Sequence, residues 1–427
     1  MIQSRSFVRS VIVDLRGPDG AATLLPVAGL PVLLRNLLLL QRHAFGPALI
    51  LCDPSTQASL QAITRDPRLT LAISLSPTDE HAVAWLGDSA DAVVLFWPAG
   101  LSFGRFVPAM IDQDVPANSA RALVGTDGDV GLVLTSAATL AAAPGGSIAG
   151  RLAWLAANDR VIPQPSDREA FRIRGLEDAR RAEAALLRSL RKNADGVVAK
   201  YDRHISLGIS RRLMTLHITP NQVTIVAALI GALCGWAVAQ GGYFWMLAGA
   251  LGFQLNSIAD GIDGEIARAK LLESHFGQWL DTIADDFSNL AFVVGAGLGC
   301  YRTYGWSGYL VLGVLAGVGQ VITSVIEYHY IITVARSGDL NDFKLPWERH
   351  PPSRRPKGPG ARIGYLAKVD WLFRRDAFVA FSTLLALIGQ LRVMTWAFAI
   401  GANLIWTSVL GYRALRGPLA AEEIEPV

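Results

Sequence analysis

From Pro220 onward the chain is dominated by six apolar runs, at about 221–240, 243–266, 279–302, 307–335, 376–391 and 394–414. A helix needs about 20 mostly apolar residues to cross the hydrocarbon core of a bilayer. Within that core every backbone group must be bonded inside the protein, which restricts such runs to helices. The fifth run is short for a crossing, while several others reach or exceed the required length. Lys and Arg are abundant before the first run, present as Arg268 and Lys270 after the second, and dense from Arg336 to Arg375 after the fourth. The links after the first, third and fifth runs carry none, Arg302 and Arg392 respectively. Under the positive-inside bias this asymmetry predicts six crossings of the cytoplasmic membrane with both termini in the cytoplasm. Composition agrees, since 51% hydrophobic against 18% charged residues is apolar for a chain living wholly in water.

The first 160 residues read differently. Val11 to Val13, Ala48 to Leu51 and Asp91 to Phe96 are short buried-strand patterns, with a helical stretch from Leu33 to His43 between the first two. Such alternation predicts an α/β domain with a mostly parallel sheet, here 1–160 and cytoplasmic. Pro163 and Pro165 mark its end, and 161–196 reads as a linker. Within it, Ala179, Ala182, Leu186 and Leu190 recur at helical spacing among charges, as in an exposed amphipathic helix. Residues 197–427 form the membrane domain. It opens with a juxtamembrane helix over 197–214 that mixes Ile205, Leu207, Ile209 and Leu213 with Lys200, Arg203, Arg211 and Arg212, as expected for the headgroup layer. The three cysteines, Cys52, Cys234 and Cys300, support neither a disulfide framework nor a cysteine zinc site. The apolar stretch near the N-terminus is broken by Asp14 and Arg16, against a cleaved signal peptide. A net charge of +3 without a basic tract excludes nucleic acid as the expected partner.

The most informative chemistry lies where the second run meets the third. Asp260 and Asp263 are three residues apart, and Asp281 and Asp285 four apart, so each pair shares one face of its helix. Uncompensated acids cost about 2.5–3.5 kcal/mol each at a bilayer centre, and four together also repel. A divalent cation relieves both penalties. An all-oxygen ligand set with no Cys or His at ligand spacing favours magnesium or manganese. Such an ion bridges phosphates, while a carboxylate not fully used by metal can accept a proton from an attacking hydroxyl, a role assigned to Asp285. Gly264, Ala267 and Gly277 are small where bulk would block close approach of a ligand to the helix backbone. Arg268 is placed to bind a phosphate or hold one of the aspartates.

These residues resemble the motif of the CDP-alcohol phosphotransferase (CDP-alcohol phosphatidyltransferase) family at every position named. Ile218-Thr219-Pro220-Asn221-Gln222-Val223-Thr224 is similar to that family's entry to its first helix, which extends the resemblance over roughly the C-terminal half. The resemblance implies an all-α six-helix membrane bundle, a homodimer, and a site facing the cytoplasm. It implies two divalent ions on Asp260, Asp263, Asp281 and Asp285, a CDP-linked donor over Gly264, Ala267 and Gly277 with Asn221 and Thr224 nearby, and Asp285 as base. Transfer to an alcohol or polyol-phosphate acceptor with release of CMP, in phospholipid or polyol-phosphate biosynthesis, follows from the same likeness. Asp195-Gly196 with Lys200, Arg203, Ser206 and Arg211 looks like the approach segment of members fused to a nucleotidyltransferase domain.

Leu24 to Leu33 is similar to a segment of sugar-phosphate nucleotidyltransferases, yet Leu30 stands where Lys is usual, and Trp97-Pro98-Ala99-Gly100 replaces a metal-binding aspartate. The triphosphate loop reads Arg16-Gly17-Pro18-Asp19-Gly20-Ala21-Ala22. Without those charges triphosphate activation lacks electrostatic support, so the domain is expected to be degenerate. Glu327, Tyr328 and His329, and Arg336, Arg374 and Arg375, are polar candidates near the same membrane face, with interfacial or topological roles as the plain alternative. His275 stands without partners in the short link, and Gln254, Asn256 and Ser257 fit hydrogen bonds between helices. Two other functions are compatible with acids in a membrane bundle: cation-coupled transport, and a silent anchor for the N-terminal domain. Clustering of the acids at one face rather than the midplane weighs against transport.

Overall fold

The computed structural model describes residues 9–17, 20–87, 93–98, 101–102, 115–124, 130–165, 171–190, 197–336, 343 and 375–416. The chain divides into two units, Met1–Leu190 with Ala269–Leu271, and Arg191–Arg268 with Leu272–Val427.

In the first unit the chain runs through β1 (Arg9–Asp14), the hairpin β2 (Pro26–Val27) and β3 (Leu30–Pro31), α1 (Val32–Arg42), β4 (Phe45–Leu51), α2 (Gln57–Thr64), β5 (Ile73–Ser76), α3 (Asp79–Gly87) and β6 (Val93–Pro98). It continues through β7 (Leu101–Ser102), β8 (Ala120–Val124), β9 (Val130–Ser136), α4 (Ala137–Ala142), α5 (Ile148–Ala157), β10 (Val161–Pro165), β11 (Phe171–Arg172) and α6 (Leu176–Ser189). Seven strands form one sheet in the order β10-β8-β9-β6-β1-β4-β5. Only β9 is antiparallel to its neighbours, so the expected mostly parallel α/β sheet is present. A strand's side chains alternate between faces, and here both faces are covered. Val11 and Val13 pack with Leu33 and Leu37 of α1 on one side, and Ile12 packs with Ala82, Leu86 and Leu155 on the other. This explains why β1 reads as an unbroken β-branched run. Arg35 of α1 is buried beneath the hairpin and donates to the Val27 carbonyl at 2.8 Å.

The stretch 161–196 differs from the linker reading. Val161–Pro165 is a strand paired in parallel with β8, and α6 buries Ala179 and Ala182 in the same core as Val11 and Leu33. Small alanines on its apolar face let this charged helix lie close to the core, so its amphipathic pattern marks docking instead of exposure. The strand expected at 91–96 begins at Val93, residues 91 and 92 lying outside the described part.

The described part of the second unit is helical: α7 (Val197–Leu213), α8 (Pro220–Gln240), α9 (Tyr243–Lys270), α10 (His275–Tyr304), α11 (Gly308–Tyr330), α12 (Arg375–Leu387) and α13 (Arg392–Arg416). A π-helical turn, Ile331–Ala335, extends α11. Helices α8 to α13 coincide with the six apolar runs. Among the described residues, three segments can cross a membrane by length and composition, Pro220–Gln240, Gly308–Ala335 and Arg392–Gly411. The 13 residues of α12 reach only about 20 Å at 1.5 Å per residue. Thr219 starts α8 with a capping box to Gln222, and Pro220 follows at the first helical position. α8 and α10 touch backbone to backbone, because a Cβ added at Gly295 would lie 2.2 Å from the Gly235 carbonyl oxygen. Such small-residue contacts drive helix association in a lipid solvent. Phe253 of α9 and Phe292 of α10 stack with ring centroids 4.2 Å apart and join α9 to α10.

Candidate active site

The facing turns of α9 and α10 carry the four aspartates. Asp260, Asp281 and Asp285 each offer an oxygen, and the three atoms lie within 4.8 Å of one another. Asp263 is 4% exposed, accepts from the Thr224 hydroxyl of α8, and lies against Asp281. The two pairs predicted from spacing therefore meet as a triad, with the fourth acid at its edge under the control of a third helix. Asp281 Oδ1 is buried with no hydrogen-bond partner among the described residues. An unsatisfied buried carboxylate oxygen is costly, and a cation is the partner its chemistry accepts.

The positive charge beside this triad comes from α12. Arg375 Nη1 donates to Asp260 Oδ2 at 3.0 Å and to Asp285 Oδ1 at 2.5 Å. With its amide oriented to meet both neighbours, Asn256 accepts from Arg375 Nη2 at 3.2 Å and donates to the Ala227 carbonyl. Arg375 thus pairs with two of the four acids, and a divalent ion fits the acidic oxygens that converge beside it. Sequence spacing alone did not separate Arg375 from its basic neighbours, because its partners lie 90 and 115 residues earlier in the chain.

The small residues flank the triad. Ser274 caps α10 by accepting from Gly277 N at 3.0 Å. A Cβ added at Gly277 would meet Ser274 Oγ at 3.1 Å and Asn221 Oδ1 at 3.2 Å, so Asn221 and Gly277 border the same narrow space. Arg268 folds back along α9, its Nη1 lying 3.0 Å from where a Gly264 Cβ would stand. Ala267 is half-buried one turn before the end of the helix. Thr224 is buried and acts on Asp263, so among the two residues singled out at the start of α8 only Asn221 borders the gap by Gly277.

Two acids besides the four aspartates are also held. Asp286 accepts from Gln320 Nε2 at 3.3 Å and from the Tyr328 hydroxyl, and Trp279 meets the Tyr328 ring edge-on. Glu265 is fully buried and accepts from Ser206, Ser210 and Arg203 of α7. The signal for Glu265 was present in the 203, 206, 210 spacing, one helix face of polar residues. Gln254 donates to Asp202 at 3.2 Å, an inter-helix bond of the kind expected for it. His275 is exposed at the first turn of α10, and Arg336 is exposed at the end of the π-helical turn. Arg374, Asp195 and Gly196 lie outside the described residues.

Residues 217–346 match the CDP-alcohol phosphatidyltransferase family. The chain is 36% identical over 150 residues to the bifunctional IPC transferase and DIPP synthase of Thermococcus kodakarensis, covering 35% of this chain and 33% of that protein. It is 35% identical over 119 residues to the protein of the same name from Aquifex aeolicus, covering 27% of each. The chain thus spans about a third or less of the length of these curated relatives. The crystal structure of Mycobacterium tuberculosis phosphatidylinositol phosphate synthase with CDP-DAG bound overlaps 52% of this chain and 99% of that one, at 18% identity and a TM-score of 0.37.

Proposed function

We propose that this chain, which carries a CDP-alcohol phosphatidyltransferase domain at residues 217–346, is an integral-membrane transferase. It moves a substituted phosphate group from a CDP-linked donor to an alcohol or polyol-phosphate acceptor and releases CMP. The observation that carries this reading is the convergence of Asp260, Asp281 and Asp285, with Asp281 Oδ1 buried and lacking a hydrogen-bond partner among the described residues.

Asp260, Asp281 and Asp285, with Asp263 at the edge, are the residues that would hold magnesium or manganese, as two ions in our reading. Held by these carboxylates, a divalent cation would supply the positive charge that offsets the donor pyrophosphate and the leaving CMP. Gly264, Ala267, Gly277 and Asn221 leave room for the donor nucleotide, and Arg268 supplies positive charge next to Gly264. Thr224 orients Asp263. The acceptor hydroxyl oxygen attacks the donor phosphorus that bears the non-nucleoside group, Asp285 takes the hydroxyl proton, and the bond from that phosphorus to the CMP oxygen breaks. Arg375 keeps Asp260 and Asp285 apart in charge and in place while the substrates enter.

The supports for membrane embedding are three helices of crossing length and the apolar outer residues of α8, α11 and α13, such as Leu229, Leu233, Val314, Val318 and Leu404. Six crossings with cytoplasmic termini, a cytoplasmic site and a homodimer belong to the same proposal. We read the first unit as a degenerate nucleotidyltransferase-like domain. Incubating the purified full-length protein and magnesium with a panel of CDP-linked donors and alcohols tests the activity. CMP release that requires both a donor and an alcohol is expected; no release with any pair would reject the assignment.

A further inference from the structure

A polar latch fastens the amphipathic helix α7 to the opposite side of the helix that carries Asp260 and Asp263. Glu265 is 0% exposed in α9. Its Oε1 accepts from Ser206 Oγ at 2.7 Å and Arg203 Nη1 at 3.2 Å, and its Oε2 accepts from Ser210 Oγ at 2.6 Å. Gly261, one turn earlier on the same face, presents no side chain to α7, and a Cβ there would lie 3.6 Å from Ser206 Oγ. Three turns earlier, Gln254 Nε2 reaches Asp202 of α7 at 3.2 Å. The two helices are thus tied at both ends of their shared length, and Glu265 stands only two residues after Asp263.

An apolar residue in place of Glu265 would join these helices at no cost for burying a charge. Replacing a buried ion pair with packed apolar groups is often neutral or stabilising, and the best-attested use of such pairs is to fix register. A carboxylate that demands three donors at once permits one axial and rotational setting of α9 against α7. That setting decides whether Asp260 and Asp263 face Asp281 and Asp285. We infer that Glu265, with Arg203, Ser206 and Ser210, is a positioning device for the metal-binding aspartates, so that α7 serves as a strut of the active site as well as an approach segment. This inference rests on the metal role proposed for the aspartates.

Manganese binding to the full-length protein, followed by electron paramagnetic resonance, tests it separately from turnover. Glu265→Ala and the double variant Ser206→Ala/Ser210→Ala are each expected to weaken manganese binding about tenfold, and the combined triple variant no further than Glu265→Ala. Glu265→Gln, which can still accept from Ser206 and donate to Ser210, should recover most of the affinity. The serine double variant keeps the buried carboxylate with its Arg203 partner and carries the test if Glu265→Ala does not fold. Its thermal midpoint should stay within a few degrees of wild type, which a purely structural role would not combine with lost metal affinity. Wild-type manganese affinity in the serine variant overturns the latch. Intact affinity shifts without CMP release from the wild type would reject the transferase reading and leave the latch standing, and no manganese binding by the wild type would overturn both.

Discussion

Asp281 and Asp285 sit one turn apart on α10 and divide the labour of the proposed reaction between ion and proton. Asparagine keeps the shape of either side chain but removes the charge that binds the ion and the basic oxygen that takes the proton. Asp281→Asn and Asp285→Asn are therefore each expected to lower CMP release at least about a thousandfold, the scale on which removing one preorganised charge slows an enzyme, with the thermal midpoint little changed. Arg375 makes a different prediction, because it neutralises two of the acids directly. Breaking a buried pair by removing one partner costs about 3–5 kcal/mol, and these groups are only partly buried, so Arg375→Ala should cost less. A divalent ion replaces the lost charge, so magnesium should raise the thermal midpoint of Arg375→Ala more than that of the wild type. Equal shifts in the two proteins would remove Arg375 from the electrostatics of the site.

At the scale of elements, the site depends on how closely α10 approaches α8 and α9. Gly235 and Gly295 meet with no room for a side chain, since the added Cβ at Gly295 falls 2.2 Å from backbone oxygen. Gly295→Val should push the helices apart, lower the thermal midpoint by several degrees, and reduce activity by displacing Asp281 and Asp285; a variant as stable and active as wild type would show that the contact does not matter. The helices themselves were legible in the sequence, because length and apolarity mark them and the three- and four-residue spacings put each acid pair on one face. Their partners were not. Arg375 closes a crowd of basic residues that precede it, and Glu265 lies inside a motif whose aspartates dominate the reading. In both cases the decisive contact joins residues at least 55 positions apart. Periodicity marks the polar face of 203, 206 and 210 but does not name the residue that face meets. The same limit explains α6, whose charged outer face reads as a linker while two alanines dock it to a core.

The whole molecule joins an α/β unit and a helical unit, and the first carries a charge pattern that bears on the proposal of a degenerate domain. Arg16, two residues after β1, donates to Asp14 at 2.7 Å and to Asp79 at 2.8 Å. Its guanidinium holds the Asp79 carboxyl below the usual carboxylate range and is itself engaged by two acids, so its charge is already matched where a triphosphate would need it. Full-length protein given CTP and a sugar or polyol phosphate is expected to release no pyrophosphate, and release above background would restore a catalytic role to this unit. The central claim concerns the other unit: α9 and α10 hold hard cations between their aspartates. Crystals soaked in manganese and measured for anomalous scattering should show a peak bounded by Asp260, Asp281 and Asp285, and a map with no peak among those side chains would contradict the account.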